Sequence, residues 1–211
     1  MRIGVLALQG DFAAHCSALK RAGARPVEVR TAAEIDDCDG LVLPGGESTT
    51  MLRIMDNYNL FPVLHSFGRK KPIYGTCAGA ILLANTVTSP TQRSLKLVDI
   101  TVERNAYGRQ VDSRIERLPT ELGEVEAVFI RAPIIRGIGK DVRVLATYQG
   151  DPVWIEEGRH VVTTFHPELT TDASVYRRFL AKVNGNILSV PDRVVRASAN
   201  RVETHLEASG S

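Results

Sequence analysis

Short apolar runs alternate with segments of helical periodicity along the first 84 residues of the chain. Apolar runs of this length are typical of parallel strands that are buried on both faces. The predicted strands are residues 3–8, 26–30, 40–43 and 72–74. The predicted helices are residues 12–22, 48–56, 60–69 and 78–84, the first with Asp11 as its N-cap and Gly23 at its end. This alternation predicts a parallel, doubly wound sheet with right-handed crossovers.

The pattern changes after about residue 90, where strand-like segments follow one another with turns between them. Mixed or antiparallel strands are expected there. A helix over residues 172–183 closes the fold. The predicted class is α/β, a three-layer sandwich around a mostly parallel central sheet with added antiparallel strands. Residues 1–186 are predicted to form one domain, and residues 187–211 a C-terminal tail for which a disordered terminus is the simpler interpretation.

Composition limits the partners and the cellular location that the sequence predicts. A net charge of +2 over 211 residues is too small to favour nucleic acid or an anionic membrane as partner. The chain shows neither the apolar run of about 18 residues that a membrane span needs nor a secretory signal. Three widely spaced cysteines, Cys16, Cys38 and Cys77, give no disulfide framework and no zinc-binding spacing. A reducing cytoplasm is the predicted location.

Cys77 is the predicted nucleophile. It stands in the sequence Gly-Thr-Cys-Ala-Gly, between a predicted strand and a predicted helix. This is the nucleophile-elbow pattern with sulfur in place of a hydroxyl, and its small residues permit the tight turn. The N-terminus of the following helix favours the thiolate. A buried core cysteine is the alternative interpretation, and the flanking glycines Gly75 and Gly79 argue against it.

His166 and Glu168 are the predicted base and its orienting carboxylate. A predicted strand over residues 161–165 runs into His-Pro-Glu, and residues two apart in an extended segment face the same way. A carboxylate bonded to one ring nitrogen fixes the tautomer and stabilises the imidazolium. Alone this tripeptide is a weak signal, and its pairing with the elbow at Cys77 is what favours function. The other histidines, His15 apart, are expected to be solvated.

The sequence Pro-Gly-Gly-Glu-Ser-Thr-Thr after the third predicted strand is a candidate oxyanion loop. Its glycines allow close approach to a ligand and positive φ angles. The N–H groups of Gly46 and Ala78 are the predicted oxyanion donors. Ser48 is the expected N-cap of the next helix. Phosphate binding is the rival interpretation of a glycine-rich loop, but the chain contains neither of the usual phosphate-binding patterns.

Five segments together resemble a known family. These are LVLPGGESTTM, YGTCAGAILLA, VERNAYGRQVDS, FIRAPII and FHPELTTD. They are similar to the glutaminase subunits of pyridoxal 5′-phosphate synthases, which are triad-type (class I) glutamine amidotransferases. The elbow and His-Pro-Glu are common to triad amidotransferases, whereas the first and third segments are more specific to this subfamily. The resemblance runs from about residue 3 to residue 183.

The resemblance implies a glutaminase that hydrolyses L-glutamine to L-glutamate and ammonia. The ammonia is channelled to a separate TIM-barrel synthase subunit of a hetero-oligomeric complex, for vitamin B6 biosynthesis, and docking organises the oxyanion loop. Cys77, His166 and Glu168 match the catalytic triad. The matching substrate contacts are Gly46, Glu47, Ser48, Arg104, Ile130 and Arg131. No bound cofactor and no metal are expected on this subunit.

Three alternatives stay open at this point. One is a triad glutaminase that serves another synthase, such as one of histidine or purine biosynthesis. Another is a non-catalytic binding or regulatory module on the same fold. The third is a cysteine peptidase or redox-stress protein that carries the same elbow. The residues leave undecided which arginine would bind the carboxylate of glutamine.

Overall fold

The computed structural model describes residues 1–105, 113–121 and 123–185 of the chain. Its helices are α1 (Phe12–Arg21), α2 (Ala32–Asp36), α3 (Ser48–Asn57), α4 (Phe61–Lys70), α5 (Ala78–Leu83) and α6 (Ser174–Val183). Its strands are β1 (Arg2–Leu6), β2 (Arg25–Val29), β3 (Gly40–Leu43), β4 (Ile73–Thr76), β5 (Ala84–Thr88), β6 (Val98–Glu103), β7 (Arg114–Thr120), β8 (Gly123–Phe129), β9 (Ile134–Ile138), β10 (Val142–Tyr148), β11 (Asp151–Glu157) and β12 (His160–Thr163). The predicted tail over residues 187–211 lies outside the described residues.

The central sheet has the strand order β10-β11-β12-β4-β3-β1-β2 in the described part of the chain. The five strands from β12 to β2 are parallel neighbours, and β11 and β10 add antiparallel pairs at one edge. The four predicted strands of the first half and the mixed character of the second half are confirmed. The chain proceeds from β1 to β2 on one side and from β3 to β4 on the other. The carboxyl ends of β1 and β3 therefore flank a topological switch point, where open α/β sheets bind ligands.

Alternate residues of the strands pack into two separate hydrophobic cores, one on each face of the sheet. In β3, Leu41 and Leu43 belong to the core that α2, α3, α4 and α5 cover. The residue between them, Val42, belongs to the core beneath α1 and α6. This division follows from the two-residue period of a strand. Helices therefore lie on both faces, and the predicted three-layer α/β sandwich is confirmed.

Two smaller sheets complete the layers. Strands β5, β6 and β9 form one of them, and β7 and β8 form an antiparallel hairpin. Apolar residues of the first sheet, such as Val98 and Ile100, join the core of α2 to α5. Those of the hairpin, such as Leu118 and Phe129, join the opposite core. Within the described ranges, no helix is long and apolar enough to cross a membrane.

The ends of the elements follow local capping chemistry. The carboxylate of Asp11 accepts the Ala14 N–H at the start of α1, as predicted, and Gly23 follows the end of that helix with a φ of +88°. Helix α2 was not predicted, although it carries a capping box in which Thr31 and Glu34 satisfy each other's backbone N–H. Strands β5 and β9 were also missed, and the predicted helix over residues 78–84 included the first residue of β5.

Candidate active site

Cys77 occupies the tight turn between β4 and α5. Its φ is +48° and its ψ is −104°, a conformation that L-residues rarely adopt. The turn is possible because its neighbours lack side chains. A Cβ on Gly75 would lie 2.6 Å from the carbonyl oxygen of Gly79, and one on Gly79 would lie 2.1 Å from that of Leu43. The predicted elbow is therefore present, with Cys77 at the carboxyl end of β4 and 7% exposed.

His166 follows β12, the strand that pairs with β4. Its backbone N–H donates to the carbonyl of Val128 at 2.8 Å, which fixes the segment against β8. Its ring Nδ1 lies 2.6 Å from Oε1 of Glu168. Gly45 sits against both partners, because a Cβ there would lie 2.5 Å from Cε1 of His166 and 3.4 Å from Cβ of Cys77. The structure thus brings Cys77, His166 and Glu168 together.

The local geometry of the His-Pro-Glu segment differs from the prediction. It was expected to be extended throughout, but Pro167–Leu169 forms a 3-10 helix with His166 as its N-cap. The carboxylate of Glu168 still reaches the imidazole, since a short turn also brings residues two apart into contact. The expected pairing is present for a different geometric reason.

Burial and charge make His166 and Glu168 an ion pair. Burial alone lowers the pKa of His166, but its interactions with Cys77 and then Glu168 outweigh burial and raise that pKa from 6.5 to about 10. The imidazole is therefore protonated at neutral pH. Burial raises the pKa of Glu168, and the hydrogen bond to His166 together with the positive charge of that ring lowers it below its ordinary value. Nε2 of His166 is buried and makes no hydrogen bond of ordinary geometry with the described residues.

The candidate oxyanion loop lies at the switch point, where it packs on the residues that follow β1. Gly46 has a φ of +144°, and a Cβ there would lie 2.7 Å from Oε1 of Gln9. That oxygen accepts the N–H of Glu47 at 2.8 Å. A Cβ on Gly10 would lie 1.8 Å from the carbonyl oxygen of Gly45. Gln9 and Gly10 therefore support the loop. Ala78 directly follows Cys77 as the first residue of α5.

Glu47, and not Ser48, is the N-cap of α3. Its carboxylate accepts the N–H groups of Thr49 and Thr50 at 3.1 and 2.7 Å. Partial burial raises the pKa of Glu47, and these backbone hydrogen bonds outweigh burial and lower it. The expected cap was wrong because the helix already begins at Ser48, which leaves Glu47 as the residue that precedes it. Ser48 is buried and donates to Oε1 of Gln92 at 3.0 Å.

Arg104 lies beside Glu47. Its Nη2 is 3.3 Å from Oε1 of Glu47 and 2.8 Å from the hydroxyl of Thr49, while its Nε is buried without a partner among the described residues. Ile130 and Arg131 follow the end of β8, the strand that binds the backbone of His166. Arg131 is exposed with a φ of +46°, and its guanidinium makes no hydrogen bond with the described residues. The segment that carries most of VERNAYGRQVDS, residues 106–112, lies outside the described residues.

Two histidines expected at the surface or against a partner are buried. His15 is fully buried beneath Glu168. His160 is 6% exposed, and its Nδ1 accepts the N–H of Ile73 at 3.2 Å. Both lie on segments whose apolar spacing predicts burial, which is the signal that could have placed them. His65 is half-buried, and His205 lies outside the described residues. Among the described residues, no group of three or more His, Cys, Asp or Glu is placed to hold a metal ion.

Comparison with known proteins identifies the family. Residues 5–185 match the model of the SNO glutamine amidotransferase family. The chain belongs to that family. A relative from Solibacter usitatus (strain Ellin6076), named pyridoxal 5′-phosphate synthase subunit PdxT, is 60% identical over 190 residues, which cover 86% of this chain and 99% of the relative. The relative of the same name from Koribacter versatilis (strain Ellin345) is 49% identical over 88% of this chain and 98% of its own length.

The fold agrees with this family. A crystal structure described as a glutamine amidotransferase superposes with a TM-score of 0.81 at 42% identity, over 86% of this chain and 98% of that one. The resemblance that the sequence segments indicated is thereby confirmed. In this SNO-family chain, the segments that contain Gly46, Cys77 and His166 meet at the carboxyl ends of β3, β4 and β12.

The elevated pKa of His166 can be measured by NMR. Replacing Cys77 with Ala, or Glu168 with Gln, lowers the pKa of His166 from about 10 because each change removes an interaction that raises it. The measurement is the titration of the His166 Cε1–H signal. The matched control Cys38→Ala, which removes a buried thiol from the core of α2 to α5, leaves the titration in place.

The raised pKa of His166 also makes the stability of the folded state depend on pH. Since the folded-state pKa lies above the ordinary value of 6.5, the interactions of His166 stabilise the folded state fully below about pH 6.5. That contribution is lost as the pH rises through about 10. A His166 signal that titrates at the same pH in Glu168→Gln as in the unaltered protein contradicts the ion pair described here.

Proposed function

We propose that this chain is the glutaminase subunit of a pyridoxal 5′-phosphate synthase. It hydrolyses L-glutamine to L-glutamate and ammonia, and the ammonia passes to a separate synthase subunit for vitamin B6 biosynthesis. The observation that carries the catalytic part is the meeting of Cys77, His166 and Glu168 beside the Gly45–Gly46 loop. The acceptor part is supported by the name of relatives up to 60% identical over almost their whole length.

Acylation begins from a Cys77 thiolate and a protonated His166. The thiolate of Cys77 attacks the side-chain amide carbon of glutamine, and the carbonyl oxygen becomes an oxyanion. The N–H groups of Gly46 and Ala78 are the proposed donors to it, each contributing about 3 kcal/mol to the transition state. The proton on His166 passes to the leaving nitrogen as the C–N bond breaks. Ammonia departs and a glutamyl thioester remains on the sulfur.

Deacylation becomes possible when His166 loses its interaction with the sulfur of Cys77. In the thioester the sulfur carries no negative charge, so the interaction with Cys77 that raises the pKa of His166 is gone. The neutral imidazole then accepts a proton from water as the water attacks the thioester carbon. The C–S bond breaks, glutamate leaves, and the proton on His166 restores the starting pair. Glu168 stabilises the imidazolium at both stages.

Substrate binding is assigned to the charged groups around the loop. The α-amino and α-carboxylate groups of glutamine lie on one carbon and carry opposite charges. Glu47 and Arg104 offer a carboxylate and a guanidinium 3.3 Å apart, which match that arrangement. We therefore assign the ammonium to Glu47 and the carboxylate to Arg104. Ser48, Ile130 and Arg131 complete the proposed contact set.

The alternatives lose support for specific reasons. A non-catalytic module has no need of a buried imidazolium paired with a carboxylate beside a cysteine in a strained turn. A glutaminase that acts with a different synthase is also disfavoured. The PurLQS structure from Thermotoga maritima is only 19% identical to this chain, and its TM-score of 0.60 reflects a shared fold alone. A cytoplasmic location stays a prediction, to which the three free cysteines are suited.

Replacement of Cys77 tests the mechanism. In Cys77→Ala, glutamate and ammonia production in the presence of the cognate synthase falls to background, a loss of more than about 10³-fold, because no acyl intermediate can form. Circular dichroism and co-purification with the synthase stay unchanged. Cys38→Ala retains activity and serves as the control. Glutaminase activity of Cys77→Ala equal to that of the unaltered enzyme rules the mechanism out.

Replacement of Arg104 tests the substrate assignment. Arg104→Ala raises KM for glutamine by about 10- to 100-fold with a smaller change in kcat, because a charge-assisted hydrogen bond to the ground state is lost. The matched control is Arg25→Ala, since Arg25 is exposed at the start of β2. Steady-state kinetics with the synthase present give both constants. An unchanged KM in Arg104→Ala assigns the carboxylate to another residue.

A further inference from the structure

Glu168 lies between two imidazole rings, and the proposed mechanism uses only one of them. Its Oε1 is 2.6 Å from Nδ1 of His166 and 3.5 Å from Nε2 of His15. His15 comes from α1, and it is fully buried. Its Nε2 has no hydrogen-bond partner of ordinary geometry. The carboxylate of Glu168 is therefore the polar group that this nitrogen faces.

The tautomer of His15 follows from its neighbours. An ionised carboxylate can only accept, so the ring nitrogen facing Glu168 carries a proton. Burial lowers the pKa of His15, and this outweighs the charge of Glu168, so the ring is neutral and its Nδ1 is an acceptor. The hydroxyl of Tyr176 lies 2.8 Å from that Nδ1. Burial raises the pKa of Tyr176, which keeps its proton available for donation.

These contacts form a directed chain that ends on the catalytic carboxylate. The Tyr176 hydroxyl donates to Nδ1 of His15, and Nε2 of His15 lies 3.5 Å from Oε1 of Glu168. That separation is too long for a hydrogen bond of ordinary geometry, so the contact is an electrostatic one between the N–H dipole of the ring and a buried carboxylate. Because His15 is neutral, its N–H dipole adds no second positive charge beside Glu168. The ion pair of Glu168 with His166 is therefore kept.

We propose that His15 is a positioning residue for the glutaminase reaction, holding Glu168 in the rotamer that binds Nδ1 of His166, with Tyr176 fixing the tautomer of His15. This role rests on the proposed function, in which Glu168 orients His166. The competing explanation is packing, since His15 also makes edge-on contacts with the rings of Tyr74 and Tyr176. The two differ in whether an N–H directed at Glu168 is required.

A matched pair of substitutions separates these explanations. Glutamine places its side-chain NH₂ close to the position of Nε2 in histidine, whereas the shorter asparagine does not. His15→Gln keeps kcat within about threefold of the unaltered enzyme. His15→Asn lowers kcat by about 10- to 100-fold, the range expected for losing a hydrogen bond to a charged group, and leaves KM for glutamine unchanged. Tyr176→Phe gives a smaller decrease, because only the orientation of His15 is lost.

The NMR titration of His166 provides a readout that does not depend on activity. His15→Asn lowers the pKa of His166, because a displaced Glu168 no longer stabilises the imidazolium, while His15→Gln leaves it near that of the unaltered protein. Equal kcat and equal His166 pKa in the Gln and Asn variants overturn the proposal, whether both are high or both are low. If the unaltered enzyme and Cys77→Ala hydrolyse glutamine equally, the proposed function fails instead, and the titration still decides the role of His15.

Discussion

The backbone of Cys77 is held in a conformation with a φ of +48°, and the arrangement of the site depends on what holds it there. Such a conformation costs about 1–3 kcal/mol and persists only where the surroundings impose it. The N–H of Cys77 donates to the carbonyl of Thr163 at 3.0 Å. Thr163 ends β12, the strand that leads to His166 three residues after its end. One strand thus fixes both the nucleophile turn and the base, so their separation is set by sheet pairing.

The second constraint is electrostatic. A buried carboxylate without partners costs several kcal/mol, and Glu168 avoids this cost by pairing with a protonated His166. Burial alone would favour the neutral forms of both groups, so each side chain keeps the other charged. The proposed contact with neutral His15 adds a donor without adding charge. The reaction proposed here changes the charge on sulfur, and His166 responds because it lies between that sulfur and Glu168.

The sequence predicted the parts of the fold that follow from local patterns. The strands β1 to β4, the capping of α1 by Asp11 and the elbow at Cys77 all depend on residues close together in the chain. Helix α2 was missed although its capping box, Thr31 with Glu34, was readable in the sequence. The cap by Glu47 was missed because side-chain reach, and not residue type alone, decides which group satisfies the first N–H groups of α3.

Contacts between distant segments could not be predicted in the same way. The burial of His15 against Glu168 joins residues 153 positions apart, and only the packing of α1 on the central sheet brings them together. The support of the oxyanion loop by Gln9 depends likewise on the adjacency of β1 and β3. The contact of His166 with Glu168 was predicted from an extended backbone, and that reason was wrong. The contact exists because residues two apart in a 3-10 turn also approach each other.

In the proposed mechanism, Cys77 alone attacks the side-chain carbon of glutamine. The most direct measurement is covalent labelling, in complex with the synthase, by a glutamine analogue that carries an electrophilic carbon in place of the amide. Peptide mass spectrometry is expected to place one adduct on Cys77 and none on Cys16 or Cys38, with loss of glutaminase activity in proportion to labelling. Full loss of activity with Cys77 unmodified, or an adduct on Cys77 with hydrolysis intact, contradicts the account.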